Sequence, residues 1–257
     1  MSALERWLQR LPAFQVGQSN DRLRHDFVRD ALSRLPAGTR LLDAGAGERR
    51  FQPYCGHLHY VSQDFGQYDG VGDRSGLHTG AWDQSGIDLL CDITNIPQPD
   101  GSFGAILCTE VLEHVPAPLE ALAEFARLLA PGGTLILTAP FVSFTHFAPY
   151  HFHTGFSRYF YHAHLPPLGF EIGQLVQHGN FFELLAQEVW RVREAGPRYA
   201  GRRLRLHERA GLLLLLGALA RFSRYDRESQ EFACYGIGVS AIKRASLEAA
   251  SESSKST

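Results

Sequence analysis

The sequence predicts an α/β fold with a doubly wound, mostly parallel sheet of seven strands. Short apolar runs typical of strands alternate with segments whose apolar residues recur at helical spacing. A glycine turn follows the first run, and an acidic residue ends each of the first three. Because the carboxyl ends of parallel strands meet at one edge of a sheet, these residues are expected to form one site.

The elements follow in order along the chain. The predicted strands cover residues 40–43, 57–63, 87–91, 103–108, 134–139, 170–176 and 232–243. The predicted helices cover residues 3–11, 20–35, 118–130, 157–165, 180–193 and 206–222. We expect N-terminal helices in 1–37, a main domain in 38–244 with insertions at 141–168 and 180–230, and a disordered tail in 245–257.

Composition indicates an ordinary globular protein. The chain has 257 residues, 44% of them hydrophobic, and a net charge of −2, which gives no general attraction to nucleic acid. Its four cysteines are far apart and favour reduced thiols, as in the cytoplasm. We see no export signal, and the apolar run at 210–220 is about half the roughly 20 residues of a membrane span.

The glycine turn suits a nucleoside. Asp43 ends the first strand, and Gly45 and Gly47 allow a sharp turn and close approach of a ligand. Arg50 replaces a third glycine, and no Lys-Ser/Thr follows, so we expect a nucleoside without a polyphosphate. Asp64, 21 positions after Asp43, has the spacing of a carboxylate that binds ribose hydroxyls, although a turn aspartate is the alternative.

Two further segments belong to this edge. Asp92 and Ile93 follow the third strand and suit an adenine ring, with the carboxylate accepting from the amine and the isoleucine packing on the ring. Residues 65–86 show no apolar period and predict a long loop that closes over the ligand. Trp82 within it either stacks on a flat group or anchors the loop.

Residues 141–154 are dense in aromatics and histidines and leave the same edge, so we place the acceptor pocket there. His146, His151, His153 and His114 are the candidate bases, and the alternative for each is a hydrogen-bonded loop histidine. A metal at the pairs His151-x-His153 or His162-x-His164 is a rival idea. We predict no metal, because no cysteine or acid is close to either pair in the sequence.

Taken together, these residues resemble the class I S-adenosylmethionine-dependent methyltransferases, in their small-molecule, type 11-like branch. The resemblance covers residues 38–141, with weaker similarity through Gly169-Phe170. It is carried by four segments in the family's order: Leu42-Asp43-Ala44-Gly45-Ala46-Gly47, Cys91-Asp92-Ile93-Thr94-Asn95-Ile96-Pro97 with Asp100-Gly101-Ser102-Phe103-Gly104-Ala105-Ile106, Glu110-Val111-Leu112-Glu113-His114-Val115, and Leu128-Leu129-Ala130-Pro131-Gly132-Gly133-Thr134-Leu135.

The resemblance implies S-adenosylmethionine as cofactor. It places the glycine turn at the methionine end, Asp64 at the ribose, and Thr109 with Glu110 beside the sulfonium. The implied cofactor-binding set is Asp43, Gly45, Gly47, Asp64, Phe65, Asp92, Ile93, Thr109 and Glu110. Two features depart from the family pattern: Arg49-Arg50 follows Glu48 where a helix usually opens, and the loop at 65–86 replaces a helix.

The expected function is methyl transfer to a small molecule in the cytoplasm, with oxygen as the favoured acceptor atom. The preference for oxygen depends only on the histidines, so nitrogen and carbon acceptors stay open. A methyltransferase-like module that only binds a partner, and a nucleotide-binding oxidoreductase, are the rivals. The leucine-rich helix at 206–222 is expected in the core or in a homodimer rather than on a membrane.

Overall fold

The computed structural model of the chain describes residues 11–73, 76–77 and 82–245. Seven strands form one sheet, in the order β3-β2-β1-β4-β5-β7-β6. Parallel pairing joins β2 to β3, β1 to β2, β1 to β4 and β4 to β5. The strands are β1 (Arg40–Ala44), β2 (His59–Asp64), β3 (Leu89–Leu90), β4 (Phe103–Thr109), β5 (Leu129–Pro140), β6 (Phe170–His178) and β7 (Gly236–Lys243). The predicted fold class is confirmed.

The central strands are buried on both faces. Leu41 and Leu42 on β1 have no exposed surface, and neither do Ile106, Leu107 and Cys108 on β4. Successive side chains of a strand point to opposite faces, so burial of neighbours requires cover on both sides of the sheet. The unbroken apolar runs in the sequence are explained by this cover.

The helices are α1 (Pro12–Gln15), α2 (Asn20–Ser33), α3 (Pro118–Leu128), α4 (Arg158–His164), α5 (Phe181–Ala195) and α6 (Leu206–Arg224). Helix α3 shows why a helix could be predicted from the sequence here. Pro118 occupies its first turn, where a missing N–H costs nothing. Ala121, Leu122, Phe125 and Leu128 are fully buried, at the three- and four-residue spacing of one helix face.

Three predicted strands differ from the structure. The fifth already begins at Leu129, inside the helix predicted at 118–130, because Leu129 pairs with Phe103 of β4. The third strand is only Leu89–Leu90, because it pairs with just the last two residues of β2 and lies at the sheet edge, where Leu90 is 66% exposed. The last strand begins at Gly236 instead of residue 232. Between β1 and β2, Arg49 has a φ of 56°, which an α-helix does not allow, and a 3₁₀ helix at Gln52–Tyr54 is the only helical turn.

The described residues fall into two compact units. One unit combines residues up to 25 with 177–236, and the other combines 26–176 with residues from 237 onward. All of the predicted cofactor-binding residues lie in the second unit. The domain boundaries predicted above stay a prediction. The predicted helix at 3–11 and tail at 245–257 lie almost wholly outside the described residues.

The first unit is organised around Glu183. Its Oε2 accepts hydrogen bonds from the Gly17 amide at 2.9 Å and the Tyr235 hydroxyl at 2.7 Å, and its Oε1 accepts one from Ser223 at 3.2 Å. Asn180 caps α5 by accepting from the Glu183 amide at 3.0 Å. One carboxylate therefore connects four separate parts of this unit.

The leucine-rich helix α6 is amphipathic. Leu216 and Leu219 are buried, whereas Leu214 is 77% exposed. Consecutive residues of a helix point in different directions, so a run of five leucines cannot be buried on one face alone. The homodimer predicted through this helix stays a prediction. Among the helices of the described residues, none is long and apolar enough to cross a bilayer.

Candidate active site

The turn after β1 requires a glycine at position 45. Gly45 has a φ of 75°, and a Cβ placed there would lie 2.4 Å from Cγ2 of Val111. The Gly45 amide donates to the backbone oxygen of Gln63 at 2.9 Å and to its side-chain Oε1 at 3.1 Å. The chain after β4 thus packs directly against the turn after β1, so the two segments form one site.

Asp64 connects this turn to the loop after β2. Its buried carboxylate accepts from the Gly47 amide at 3.0 Å through Oδ2. Its Oδ1 accepts from the Gly66 amide at 2.9 Å and from the Gln84 side chain at 3.2 Å. The acid therefore lies beside the glycine turn, where a ribose was predicted, and a ribose hydroxyl would compete with Gln84 for Oδ1.

Asp43 is a second buried acid on the neighbouring strand. Its Oδ2 accepts from the Tyr60 hydroxyl at 2.6 Å. Burial raises the pKa of the Asp43 carboxyl to about 7; the Tyr60 hydrogen bond opposes this effect, and the charge of Asp64 adds to it. Burial and the charge of Asp64 disfavour ionisation of Asp43, so a cationic ligand beside it would be stabilised.

Asp92 and Ile93, predicted to contact adenine, differ in their burial. The Asp92 side chain is exposed, and its Oδ1 accepts from the Thr94 amide at 2.9 Å and hydroxyl at 2.8 Å. Ile93 is buried. Gln63 connects this segment to the glycine turn, because its Nε2 donates to the Cys91 oxygen at 2.7 Å while its Oε1 accepts from Gly45. The Asp92 carboxylate thus accepts hydrogen bonds within its own turn, and its contact with adenine stays a prediction.

The end of β4 is strained. Thr109 pairs with Thr138 of β5, and Glu110 has a φ of 54°, which is rare for a residue other than glycine. The Glu110 amide donates to the Thr138 oxygen at 2.9 Å, which fixes this conformation. Such strain clusters at ligand sites, and it aims the chain after Glu110 toward the glycine turn.

Aromatic side chains join the loop after β2 to the histidine-rich segment. The Trp82 ring is 3.1 Å from the position that a Gly47 Cβ would take, and it contacts Phe147 edge-on at 5.2 Å between centroids. Tyr68 lies 5.0 Å from Trp82 and 4.9 Å from Phe147. Trp82 anchors the loop, as one of the two interpretations of the sequence had it.

Backbone hydrogen bonds also join the loop after β2 to the histidine-rich segment. Leu77 donates its amide to the Thr145 oxygen at 3.1 Å and accepts from the Phe147 amide at 3.0 Å, which forms an isolated parallel bridge with His146. Phe65, predicted to contact the cofactor, is half-exposed and meets Tyr150 edge-on at 4.9 Å. The described part of the 65–86 loop therefore packs on the histidine-rich segment.

Three of the four candidate histidines come together. His114 and His146 have ring centroids 4.6 Å apart, and His151 lies 4.9 Å from His146. The Nε2 atoms of His114 and His146 are 3.7 and 3.9 Å from Oε1 of Glu113, a fully buried residue. The His153 ring packs on Phe156, at 5.6 Å between centroids. We call Glu113, His114 and His146 the Glu-His-His cluster.

Hydrogen bonds set the tautomers of the cluster. The Nδ1 atoms of His114 and His146 donate to the backbone oxygens of Tyr150 and Phe144 respectively, because a carbonyl can only accept. Both Nε2 atoms therefore carry lone pairs in the neutral rings. Burial lowers the pKa of His114 to about 3, with nearby His146 adding to the effect, so His114 is uncharged at neutral pH.

Three residues of this site were not among the predicted ones. Tyr60, Gln63 and Glu113 were read as parts of a strand or of a family motif, yet they contact the acids, the glycine turn and the histidines. Gln63 carried a usable signal, because a long polar side chain inside a strand expected to be buried needs a polar partner. Partners so distant in sequence could not be named from it.

The comparisons with known proteins agree with this geometry. A family model described as a methyltransferase domain matches residues 17–196. A ubiquinone biosynthesis O-methyltransferase of Xanthomonas campestris is 58% identical over 38 residues, or 15% of this chain and 16% of the relative. A demethylmenaquinone methyltransferase of Renibacterium salmoninarum is 34% identical over 113 residues, or 43% and 44%. The chain thus aligns with less than half of either relative.

Two solved structures share the fold. The [4+2]-cyclase SpnF has a TM-score of 0.51 and 18% identity over 86% of this chain and 81% of its own. A geranyl diphosphate methyltransferase in complex with SAM has a TM-score of 0.50 and 16% identity over 87% and 85%. At such identities the likeness concerns the fold alone. The family match covers most of the chain and confirms the predicted family and cofactor: the chain belongs to the S-adenosylmethionine-dependent methyltransferases of the class I fold.

Proposed function

We propose that this protein transfers a methyl group from S-adenosylmethionine to a hydroxyl oxygen of a small molecule that carries an aromatic ring. The observation that carries the proposal is the contact between the glycine turn and the chain after β4, through Gly45 and Val111. Because β1, β4 and β5 are adjacent and parallel, the cofactor turn and the histidines share one sheet edge.

The described residues fit the cofactor. Gly45 and Gly47 carry no Cβ, so Val111 and Trp82 pack closely against the turn, and Asp43 and Asp64 place two acids next to a ligand that carries cationic groups. We assign the methionine end to the turn, the ribose to Asp64 with Phe65, the adenine to Asp92 with Ile93, and the sulfonium to Thr109 with Glu110. The cofactor supplies an activated methyl group, so the protein must mainly orient the acceptor.

The Glu-His-His cluster supports oxygen as the accepting atom. A hydroxyl must lose its proton as the new bond forms, and the unprotonated Nε2 of His146 can receive it. His146 is the first candidate for the base, because its side chain is 20% exposed, against 13% for His114. His151 is second, and its Nε2 is 3.1 Å from the Ser143 hydroxyl.

The aromatic walls support a flat acceptor. Tyr68 packs on Phe147 and Tyr150 where the loop after β2 meets the histidine-rich segment. Aromatic rings prefer offset or edge-on contact with one another, which suits a hydroxylated ring. The names of the ubiquinone biosynthesis O-methyltransferases agree with oxygen as the acceptor atom.

The first experiment is a calorimetric titration with S-adenosylhomocysteine. We expect micromolar binding by the native protein and at least a tenfold weaker affinity in Asp64→Asn, because an amide cannot accept as two carboxylate oxygens do. Asp88→Asn is the control: Asp88 also accepts hydrogen bonds, from Ser62, but lies outside the glycine turn. Preference for a nicotinamide nucleotide would instead support an oxidoreductase.

The second experiment measures transfer of a labelled methyl group to hydroxylated aromatics, sugars and amines. We expect turnover of the aromatics and a loss of at least tenfold in kcat for His146→Ala, with His162→Ala on α4 as the control. Cofactor binding without any turnover would support a binding module. That outcome is a real alternative, since the fold is shared with a cyclase and does not by itself fix the reaction.

A further inference from the structure

We propose that the Glu-His-His cluster binds one divalent transition-metal ion, through Oε1 of Glu113 and the Nε2 atoms of His114 and His146. No role in cofactor binding accounts for this grouping. The three ligand atoms all lie within 4.8 Å of one another. It is the one group of this kind among residues 11–73, 76–77 and 82–245. It differs from both histidine pairs weighed in the sequence.

The spacing is close to that of a coordinated ion. Zinc binds imidazole nitrogen and carboxylate oxygen at about 2.0–2.2 Å, so two ligands on one tetrahedral ion are about 3.4 Å apart. The carboxylate oxygen of Glu113 is 3.7 Å from Nε2 of His114 and 3.9 Å from Nε2 of His146. Both carboxylate–imidazole distances are within about half an ångström of that value, and all three ligand atoms lie within 4.8 Å of one another.

The histidines are already in the tautomer that a metal needs. Each donates its Nδ1 proton to a backbone oxygen, His114 to Tyr150 and His146 to Phe144. That arrangement directs the Nε2 lone pair into the cluster and fixes the ring. Metal-binding histidines usually have such a partner on the second nitrogen, and it raises the basicity of the ligand.

The backbone holds the carboxylate ligand in place. Glu113 has no exposed surface, and its backbone oxygen accepts from the amides of Phe152 and His153 at 3.0 and 3.1 Å. These bonds fasten the histidine-rich segment to the 3₁₀ helix Leu112–His114. A cation coordinated at Oε1 would offset the cost of an ionised carboxylate at this depth.

The donor set selects the class of ion. Two imidazoles and one carboxylate suit zinc, iron, cobalt or nickel, whereas magnesium and calcium prefer oxygen ligands. Three protein ligands leave a coordination position for an acceptor oxygen, as in catalytic zinc sites. His151 lies at the border of the cluster, with its ring 4.9 Å from that of His146.

A metal here changes how the acceptor is activated, and this part rests on the function proposed above. A hydroxyl that coordinates the ion loses its proton to solvent at a lower pH. The resulting oxygen anion bonds to the methyl carbon, and the sulfur–carbon bond breaks with its electron pair moving to sulfur. S-adenosylhomocysteine and the methyl ether are the products. His146 is then a ligand and not the base.

The test is a titration of chelator-treated protein with Co²⁺, followed by visible absorption, and with Zn²⁺, followed by calorimetry. We expect one ion per chain, with affinity reduced at least tenfold in Glu113→Gln and in His146→Ala, and unchanged in His162→Ala. His146→Ala carries the test if Glu113→Gln fails to fold, and retained S-adenosylhomocysteine binding shows that a variant is folded.

Absence of ion binding, or binding that both variants leave unchanged, overturns the metal site. Methyl transfer that proceeds equally in the chelator-treated protein overturns the catalytic role of the ion and leaves the proposed function standing. Conversely, an ion bound at the cluster with no transfer to any acceptor overturns the proposed function and leaves the site.

Discussion

Asp43 is the residue whose charge the fold disfavours. Its pKa rises from 3.8 to about 7 on folding, chiefly through burial. The stability that this shift provides is complete below about pH 4 and is lost as the pH rises through 7. Each pKa unit corresponds to about 1.36 kcal/mol, so the loss of unfolding free energy is on the order of 4 kcal/mol.

We therefore expect Asp43→Asn to remove most of this pH dependence while it weakens cofactor binding. Urea unfolding at pH 5 and pH 8.5 measures it: the native protein should lose stability between the two, and the variant should lose much less. Glu120→Gln, at an exposed site on α3, is the control. Equal pH slopes in all three proteins would contradict the assigned shift.

Gly45 offers a second prediction at the same scale, with a matched control. Gly45 and Gly38 both have φ near 75–79°, but a Cβ at Gly45 would overlap Val111, whereas nothing lies within 4 Å of one at Gly38. Both alanine variants pay about 1 kcal/mol for the left-handed backbone. Gly45→Ala should lose roughly 1–3 kcal/mol more through overpacking.

Urea unfolding compares the two alanine variants directly. Adding Val111→Ala to Gly45→Ala should recover part of the lost stability and cofactor affinity, because it removes the methyl groups that the new Cβ meets. Similar unfolding free energies for Gly45→Ala and Gly38→Ala would mean that the contact with Val111 is relieved at no cost.

At the scale of elements, the contacts of the loop after β2 with the histidine-rich segment include Trp82 and a backbone bridge at Leu77. Trp82 contacts Tyr68 and Phe147, and Leu77 exchanges hydrogen bonds with Thr145 and Phe147. We expect Trp82→Ala to speed amide exchange at Leu77 and Phe147 at least tenfold, because a short bridge depends on its flanking side-chain packing.

Hydrogen exchange followed by mass spectrometry measures that change. Tyr159→Ala, which removes an exposed ring on α4, is the control and should leave these amides unaffected. Unchanged exchange in Trp82→Ala would show that the backbone bridge does not depend on the packing of Trp82.

At the scale of the whole molecule, the cofactor site belongs to one of the two compact units. All the proposed cofactor residues lie between residues 26 and 176, in the second unit. A ligand at 100 times its Kd adds about 2.7 kcal/mol to the unit that binds it. For a domain of this size that corresponds to about 5–10 °C in Tm.

Scanning calorimetry with S-adenosylhomocysteine tests this expectation. We expect the transition of the second unit to shift upward in the native protein and to shift by about half as much or less in Asp64→Asn. If the first unit melts separately, its midpoint should not move. A shift confined to the first unit would place the ligand there and contradict the proposed site.

The order of strands and helices could be predicted from the sequence, because the patterns that indicate them are local. Buried strands such as β1 and β4 read as apolar runs, and α3 shows its buried face by spacing and its start by Pro118. The order of acids and glycines along the chain indicated the family. These patterns depend on neighbours within a few residues, which the sequence displays directly.

Only the tertiary structure decided which side chains meet. Glu113 and His146 lie 33 positions apart, and Gly45 and Val111 lie 66 apart, yet each pair is in contact or near it. Asp92 accepts from the Thr94 amide and hydroxyl, partners that the sequence did not indicate, and its place at the cofactor stays a prediction. Side-chain direction at a sheet edge depends on loop packing and burial, and a linear pattern encodes neither.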